Sequence, residues 1–326
     1  MSPQTELAPY ESLSPDLGDL NGTVRAVLAV KGTAAAPLIT GNIAVNRVNW
    51  DSPLMPGPVE NFSGAIQVTP DAATFSATTL EFAGGRVEIT GGLIRDGLGI
   101  RSADIRLTAR ELDLDYASDL QMQGSAELWL RGDWPDITAG GKVLLREVLY
   151  TPEVDLIGVL TQLPEQRLVI EETGDTADDD DDIGGDTGLP LDFSIVAHDG
   201  IRVQNPHMNL SLAARLQVTG TTRLPGVLGT VTFNRGTIDL LLHEFEITGG
   251  TVNFTRPYEL NPGIDITATT EVKDERITLR ITGTADAPNL LLSSETGKSH
   301  AEIMNMLLGR DALGDDRDLA DLAADY

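Results

Sequence analysis

Cysteine is absent from the 326-residue sequence, and histidine occurs only four times. The chain therefore has no disulfide framework and offers no thiolate ligand to a metal ion. The histidines, which are His198, His207, His243 and His300, show no ligand spacing among themselves. A zinc centre needs a convergent cluster of such side chains. We therefore expect neither a metal site nor a bound cofactor.

Basic residues are few, with 23 Lys and Arg against 50 Asp and Glu, which gives a formal charge of −27. This balance argues against a nucleic-acid partner, because phosphate binding needs clustered Lys and Arg. It also argues against charge-driven docking on anionic lipid headgroups. About half of the excess is local. Residues 171–188 hold nine acids and no base, and residues 311–326 hold six Asp and one Arg.

The acidic stretch at 171–188 contains five consecutive aspartates, Asp178 to Asp182. A calcium-binding EF-hand loop that begins at Asp178 would need glycine at its sixth position and glutamate at its twelfth. Ile183 and Leu189 occupy those positions. We therefore predict a solvated, disordered insertion between two strands.

Long hydrophobic runs are also missing. No segment approaches 18 consecutive apolar residues, which a transmembrane helix requires. The first twenty residues are rich in Pro and Ser, and they lack the basic start and apolar core of a signal peptide. We expect residues 1–20 to be a loose lead-in. Tryptophan occurs only three times, which disfavours a membrane barrel with aromatic girdles.

Short stretches with apolar residues at every second position dominate the rest of the chain. This alternation is typical of strands that bury one face. It is clearest between residues 229 and 310, for example at Ile277, Leu279 and Ile281. Similar series occur upstream, including Leu191 to Ala197 and Leu210 to Leu216. Glycines between them predict turns or bulges.

A recurring unit punctuates these strands. A strand ends at a glycine, a proline follows within five residues, and in three copies a second glycine lies nine residues after the first. The pairs are 32/41, 132/141 and 220/229, and a fourth copy begins at Gly283 with Leu292 at the second position. We interpret the unit as a strand, a wide turn and an adjacent antiparallel strand. The copies lie 100, 88 and 63 residues apart, so they do not form a strict solenoid.

Only two helices are predicted. One is a weak stretch around Val154–Leu163. The other begins at Ser299, where Glu302 three residues later completes a capping box and Gly309 supplies a C-terminal stop. We expect this second helix, at residues 299–309, to cover the end of the sheet.

The C-terminal part resembles the C-terminal domain of the TamB family, whose members are envelope proteins of diderm bacteria. The resemblance rests on four segments and a helix: GTVTFNRGTIDL, FEITGGTVNF, NPGIDITAT, LRITGTADAPNLLLSSE and EIMNMLLGR. It covers roughly residues 200–310. The glycine–proline–glycine unit is similar to the repeat of TamB-type and AsmA-type chains. Family members are usually longer and carry an N-terminal membrane anchor, so we expect a C-terminal fragment, a separately encoded piece or a misassigned start.

The predicted fold class is all-β, with roughly 20–25 strands and almost no helix to cover their apolar faces. A sandwich, a closed barrel, a β-helix or one sheet folded along its length would satisfy this pattern. The resemblance implies the last of these, a long antiparallel meander curled into an elongated open apolar groove with one short C-terminal helix. This β-taco would occupy residues 21–310, followed by an acidic tail at 311–326.

The residues expected to line the groove by apolar contact are Val231, Phe233, Phe245, Ile247, Val252, Phe254, Ile264, Ile266, Ile277, Leu279 and Ile281. No catalytic residue is expected. Carboxylates such as Asp113, Asp115, Asp239 and Glu246 could form a glycosidase pair, but they lie on the polar faces of alternating strands. We therefore do not expect an enzyme.

The resemblance implies a role in outer-membrane protein assembly or in phospholipid transport between the two membranes. Its partners would be phospholipid acyl chains or unfolded outer-membrane protein strands. An outer-membrane barrel of the TamA/BamA type is also implied, although the acidic tail here replaces the further strands by which family members engage it. The implied location is the periplasmic side of the envelope, associated with the inner membrane. The alternatives are a structural or adhesive β-protein with a closed core and a carbohydrate-active β-helix.

Overall fold

The computed structural model describes residues 4–6, 18–33, 36–51, 56–97, 99–152, 188–259 and 261–309. These residues form sixteen β-strands and one α-helix. The first eight strands are β1 (Gln4–Glu6), β2 (Gly18–Thr33), β3 (Ala36–Asp51), β4 (Val59–Val68), β5 (Ala72–Phe82), β6 (Gly85–Asp96), β7 (Gly99–Ala117) and β8 (Leu120–Asp133). The others are β9 (Thr138–Tyr150), β10 (Leu191–Asn205), β11 (Met208–Gly220), β12 (Pro225–Leu240), β13 (His243–Phe254), β14 (Gly263–Val272), β15 (Glu275–Thr284) and β16 (Ala287–Ser294), and they precede helix α1 (His300–Leu307).

All sixteen strands belong to one sheet, and their order in the sheet is their order in the sequence. The first and last strands do not pair with each other, so the sheet is open. Fourteen of the fifteen strand pairs are antiparallel, and the exception is the parallel pair β9–β10. The predicted all-β class, the open meander and the single short C-terminal helix are thereby confirmed for the part of the chain that the structure describes.

The strands are longer than the sequence estimate assumed. Most span 10 to 19 residues, as in β7 with 19 and β2 with 16, whereas an average strand has five or six. The described residues therefore hold sixteen strands and not 20–25. Fifteen inter-strand spacings of about 4.8 Å give the sheet a length of roughly 70 Å, which exceeds the roughly 30 Å of a bilayer core.

The recurring glycine–proline–glycine unit is a long hairpin. Its geometry explains why the two glycines lie nine residues apart in three copies. The first glycine pairs with the proline or lies beside the turn, as Gly220 does opposite Pro225. The second glycine lies nine residues later, inside the next strand, and has a positive φ. At Gly229 this angle is 125°, and a Cβ atom there would lie 2.1 Å from the carbonyl oxygen of Arg215. Only glycine allows this close approach of two backbones.

Helix α1 begins as the sequence predicts. The Ser299 hydroxyl accepts a hydrogen bond from the Glu302 backbone N–H, and the Ser299 backbone N–H donates to the Glu302 carboxylate, which completes the capping box. At the other end, Gly309 has a φ of 65°, and its N–H donates to the carbonyl of Met306 at 3.2 Å. The helix is therefore capped at both ends by local sequence.

Several predicted segments lie outside the described residues. They are the weak helix at Val154–Leu163, nearly all of the acidic insertion at 171–188, and the acidic tail at 311–326. The predicted lead-in at residues 1–20 contains β1, and β2 begins within it at Gly18. The structure thus places sheet residues where the sequence predicts only a loose segment.

Candidate functional site

The side chains on one face of β10–β16 form continuous apolar ladders that run across the strands. We call this surface the apolar face. One ladder is Ala197, Ala214, Val231, Val252 and Ile264; the next is Ile201, Leu212, Phe233, Gly250, Ile266, Ile281 and Leu290; a third is Ile247, Ala268, Leu279 and Leu292. The ladders form because the registers of neighbouring strands place the apolar residues of one strand directly opposite those of the next, on the same face of the sheet.

Charge is nearly excluded from this surface. Among the paired positions of the apolar face in β10–β16, only His243 and Glu275 are ionisable, and both lie where the strands meet helix α1. The arginines and the other carboxylates at paired positions of these strands lie on the opposite face. The apolar face therefore offers hydrocarbon contact and almost no polar partner.

All eleven sequence-predicted residues lie on the apolar face, but they have two different environments. Four of them are buried beside the helix: Phe245 (0% exposed), Ile247, Ile277 (0%) and Leu279 (6%). The other seven, which are Val231, Phe233, Val252, Phe254, Ile264, Ile266 and Ile281, are half-buried. The apolar face is thus buried where it meets α1 and partly exposed elsewhere. We call the buried part the helix end.

Helix α1 closes this end by packing its apolar side onto the sheet. Ile303 (1% exposed), Met306 and Leu307 (0%) belong to the same buried cluster as Phe245 and Ile277. Within the described residues, no other element covers the apolar face. Antiparallel sheets usually bury such a face on a second layer.

Glu275 forms hydrogen bonds that hold the segment between β16 and helix α1 in place. Its side chain is 7% exposed, and its carboxylate accepts hydrogen bonds from the backbone N–H and the hydroxyl of Thr296, both at 2.8 Å. These hydrogen bonds stabilise the ionised carboxylate and lower the pKa of Glu275, against a smaller opposing effect of burial. Two further bonds hold the same segment: Glu295 N–H to the Arg276 carbonyl at 3.0 Å, and Lys298 N–H to the Ser294 hydroxyl at 2.7 Å.

The opposite face of the sheet is polar. It carries exposed ion pairs between neighbouring strands, such as Arg131–Asp104 at 3.5 Å and Arg280–Asp265 at 3.1 Å. Exposed pairs of this kind contribute little to stability, about 0–1 kcal/mol each. The carboxylates considered for glycosidase chemistry, which are Asp113, Asp115, Asp239 and Glu246, are all exposed side chains of paired strand residues.

The apolar ladders continue into the N-terminal half of the sheet. Val87, Ala109 and Ala126 are buried there, and Leu80, Phe82, Leu107, Leu112, Leu128 and Val143 pack against them. Sequence reasoning recognised these alternating series but did not include them, or those of β10 and β11, among the candidate lining residues. It also missed Glu275. This residue lies two positions before Ile277, in the same alternating series as Leu279 and Ile281, and that spacing places it on the apolar face.

No helix formed by the described residues has the length and apolar composition that a membrane crossing requires. A family model for the TamB C-terminal domain matches residues 74–325. No curated protein sequence matches the chain.

Proposed function

This chain belongs to the TamB family of cell-envelope proteins, and we propose that its apolar face holds the acyl chains of phospholipids during their transfer between membranes. In this proposal the sheet curves along its length, so that the apolar face lines a groove. The protein acts as a non-catalytic conduit on the periplasmic side of the envelope. The observation that carries the proposal is an apolar face that spans seven strands, has ionisable side chains only near helix α1, and beyond that helix has no second layer over it in the described residues.

Leaving the half-buried part of this face in water costs free energy. Each Å² of apolar surface removed from water contributes about 25 cal/mol. Exposed apolar patches larger than a few hundred Å² mark binding surfaces in soluble proteins. A hydrocarbon chain that lies along the ladders of β10–β16 would gain this contribution without any polar contact.

Acyl chains suit the face better than an unfolded polypeptide does. The backbone N–H and C=O groups of the central strands are already paired with neighbouring strands on both sides. A client polypeptide lying on the apolar face would find no partners for its own backbone groups, and each unpaired buried group costs roughly 1–3 kcal/mol. A saturated hydrocarbon has no such groups. Chaperoning of outer-membrane protein strands is therefore the second candidate, and it would use a sheet edge and not the face.

Purification without detergent, followed by native mass spectrometry and lipid extraction, tests the proposal. We expect phospholipid to co-purify in a fixed molar ratio and fluorescent phospholipid to exchange into the protein after delipidation. A clean apo mass together with no uptake of fluorescent phospholipid would overturn the lipid role. That result would favour a closed structural protein, or a chaperone of client strands if unfolded outer-membrane protein were retained in its place.

A further inference from the structure

The four recurring turns all lie at the same ends of the strands. Antiparallel neighbours reverse direction, so the units that begin at Gly32 and Gly132 are on one long side of the sheet. The parallel pair β9–β10 keeps the direction once, and this brings the units at Gly220 and Gly283 to the same side. We call this side the proline rim and the other long side the opposite rim. With antiparallel strands throughout, the last two units would lie at the opposite rim.

Exposed apolar side chains at the proline rim lie close in sequence to cations. Four of them are between 43% and 67% exposed, and each lies within three residues of an arginine. The pairs are Ile100 with Arg101, Trp134 with Arg131, Leu224 with Arg223, and Tyr258 with Arg256. Aromatic and aliphatic residues next to cations are typical of the boundary between hydrocarbon and phosphate. The combination recurs at the β6–β7, β8–β9, β11–β12 and β13–β14 turns.

The opposite rim has a different electrostatic character. Tyr116 and Leu242 are also exposed there, but their neighbours are carboxylates. Tyr116 directly follows Asp115, and Leu242 lies in the turn beyond the cross-strand pair of Asp239 and Glu244. Two carboxylates that face each other across neighbouring strands repel a third negative charge. A phosphate group therefore has favourable partners at the proline rim and not at these positions.

Two of the turns at the proline rim are packed together. The Val227 backbone N–H, near the start of β12, donates to the Pro257 carbonyl in the β13–β14 turn at 2.6 Å. Gly226 permits this approach, because a Cβ atom there would lie 2.7 Å from the same oxygen. The Tyr258 ring lies beside Gly220, where a Cβ atom would be 3.0 Å from it. The β11–β12 and β13–β14 turns, each with one arginine and one exposed apolar residue, therefore form one continuous patch.

The guanidinium groups of this patch are suited to phosphate. The Arg256 side chain is 74% exposed, and the Glu259 carboxylate lies 2.6 Å from it. An ion pair with this exposure contributes little to stability, so a phosphate oxygen can replace the carboxylate. Arg223 is exposed in the adjacent turn. Arginine presents its N–H donors in a planar fork that matches two phosphate oxygens.

On the basis of the function proposed above, we propose that the proline rim binds the phosphodiester headgroups of phospholipids whose acyl chains lie on the apolar face. Arg101, Arg223 and Arg256 contact the phosphate, and the exposed apolar residues beside them contact the glycerol and the first methylene groups. The hydrocarbon extends from there over the ladders towards the opposite rim. All bound phospholipids share this orientation.

The headgroup of a bound lipid is a better occupant of the rim than the surface of an anionic membrane. The formal charge of the chain is −27, which disfavours its approach to such a surface. The patch also continues directly into the apolar face, since Phe254 of that face is the last residue of β13 and Arg256 follows two residues later. A phosphate at Arg256 thus leaves its acyl chains beside the ladders of β12–β14.

The first test compares phosphatidylethanolamine with diacylglycerol of identical acyl chains, which lacks the phosphate. The delipidated whole chain is incubated with an equimolar mixture, and the retained lipids are extracted and quantified. We expect the unaltered chain to retain the phospholipid preferentially. A rim variant with Arg101→Gln, Arg223→Gln and Arg256→Gln should lose about three- to tenfold of this preference, the range expected for three exposed charged contacts, and should still retain diacylglycerol.

A matched variant at the opposite rim controls for the change in net charge. Arg86→Gln, Lys273→Gln and Arg276→Gln together remove the same number of cations from turns and strand ends there. This variant should keep the preference for the phospholipid. Circular dichroism verifies that both triple variants retain the sheet.

The second test uses tryptophan fluorescence to locate the headgroup. Trp134 lies in the β8–β9 turn at the proline rim, whereas Trp50 is next to the end of β3 at the opposite rim. Trp50→Phe with Trp129→Phe leaves Trp134 as the single probe, and Trp129→Phe with Trp134→Phe leaves Trp50. Phosphatidylcholine with a nitroxide on its headgroup should quench Trp134 much more than Trp50. A nitroxide at the end of an acyl chain should quench Trp134 less than the headgroup label does.

The outcomes separate the headgroup assignment from the acyl-chain role. Retention of both lipids without preference, an equal loss of preference in the two triple variants, or equal quenching of Trp50 and Trp134 by the headgroup label would each overturn the headgroup assignment alone. Stronger quenching of Trp134 by the chain-end label would do the same. Retention of neither lipid by the unaltered chain would overturn the acyl-chain role and the headgroup assignment together.

Discussion

Leu216 of β11 lies directly opposite Gly229 of β12, and the same pairing recurs between Leu28 and Gly41 and between Leu128 and Gly141. In each hairpin the glycine has a positive φ of 125° to 151°. The neighbouring backbone approaches so closely that a Cβ atom on the glycine would lie about 2 Å from a carbonyl oxygen, at 1.9 to 2.3 Å. The spacing of nine residues is therefore a register constraint set by backbone contact.

The substitution Gly229→Ala should destabilise the sheet around β11–β12. Alanine would have to adopt a left-handed backbone conformation, and its methyl group would overlap the Arg215 carbonyl. We expect a loss of about 2–3 kcal/mol in the free energy of unfolding. Urea denaturation followed by circular dichroism measures it. The matched control is Gly249→Ala on β13, where an added Cβ meets nothing within 4 Å. Equal stability of the two variants would contradict the register argument.

The sequence predicted the features that depend on residues close together in the chain, but not those that depend on contacts between distant segments. The alternation at Ile277, Leu279 and Ile281 predicted both a strand and its apolar face, and the Ser299–Glu302 spacing predicted the start of α1, because each depends on residues a few positions apart. The parallel pairing of β9 with β10 depends on contacts between distant segments, so no local pattern could reveal it. The different burial of Leu279 and Ile281 likewise depends on where α1 packs.

The difference in burial between Leu279 and Ile281 determines which residues of the apolar face are suitable for substitution in a functional test. Leu279 is among the residues that the sequence predicted to line an open groove, where a charged substitution would leave the fold intact. Leu279 is 6% exposed and packs in the cluster under α1, so we now expect a charge there to unfold the helix end. Half-buried residues of the same face are the appropriate sites for a functional test.

Phe233→Arg should reduce phospholipid retention while the sheet remains folded. Phe233 is half-buried, so the long arginine side chain can extend towards solvent and still place a charge where acyl chains would lie. We expect lipid retention to fall at least about tenfold, which corresponds to about 1.4 kcal/mol. Quantitative lipid extraction measures it, and circular dichroism checks the fold. Asn234→Arg, at an exposed neighbouring residue, is the control. Equal lipid content in both variants would exclude the apolar face as the binding surface.

Leu307→Ala should loosen α1 from the sheet. The Leu307 side chain is 0% exposed and packs in the cluster with Phe245 and Ile277. Truncation of a fully buried leucine costs about 2–5 kcal/mol. We expect faster hydrogen exchange in residues 300–308 and new exchange in β13 and β15. Leu291→Ala on β16 removes the same atoms from a side chain that is 61% exposed and should leave exchange unchanged. Unaltered exchange in the Leu307 variant would mean that the helix does not cover the apolar face in solution.

Docking of α1 should depend on pH through Glu275. Hydrogen bonds from Thr296 lower the pKa of Glu275 in the folded protein below its value in the unfolded chain. The ionised carboxylate therefore stabilises the folded state, and its contribution is complete above the ordinary glutamate pKa of about 4.3. It is lost as the pH falls through the lowered pKa. We expect protection of residues 296–308 against hydrogen exchange to be constant from neutral pH to about 5 and to decline in more acidic solution.

Glu275→Gln isolates this contribution from that of Glu302, whose pKa is also lowered, by hydrogen bonds from Ser299. The glutamine keeps an oxygen that can accept from Thr296 but carries no charge, so the variant should be less protected than the unaltered chain at neutral pH. The two proteins should converge in acid, because Glu275 is then protonated in both states. Comparison at each pH removes the intrinsic pH dependence of exchange, and Glu271→Gln, at an exposed residue of β14, serves as the control. A constant difference between the two proteins across the whole pH range would show that the charge of Glu275 does not hold the helix in place.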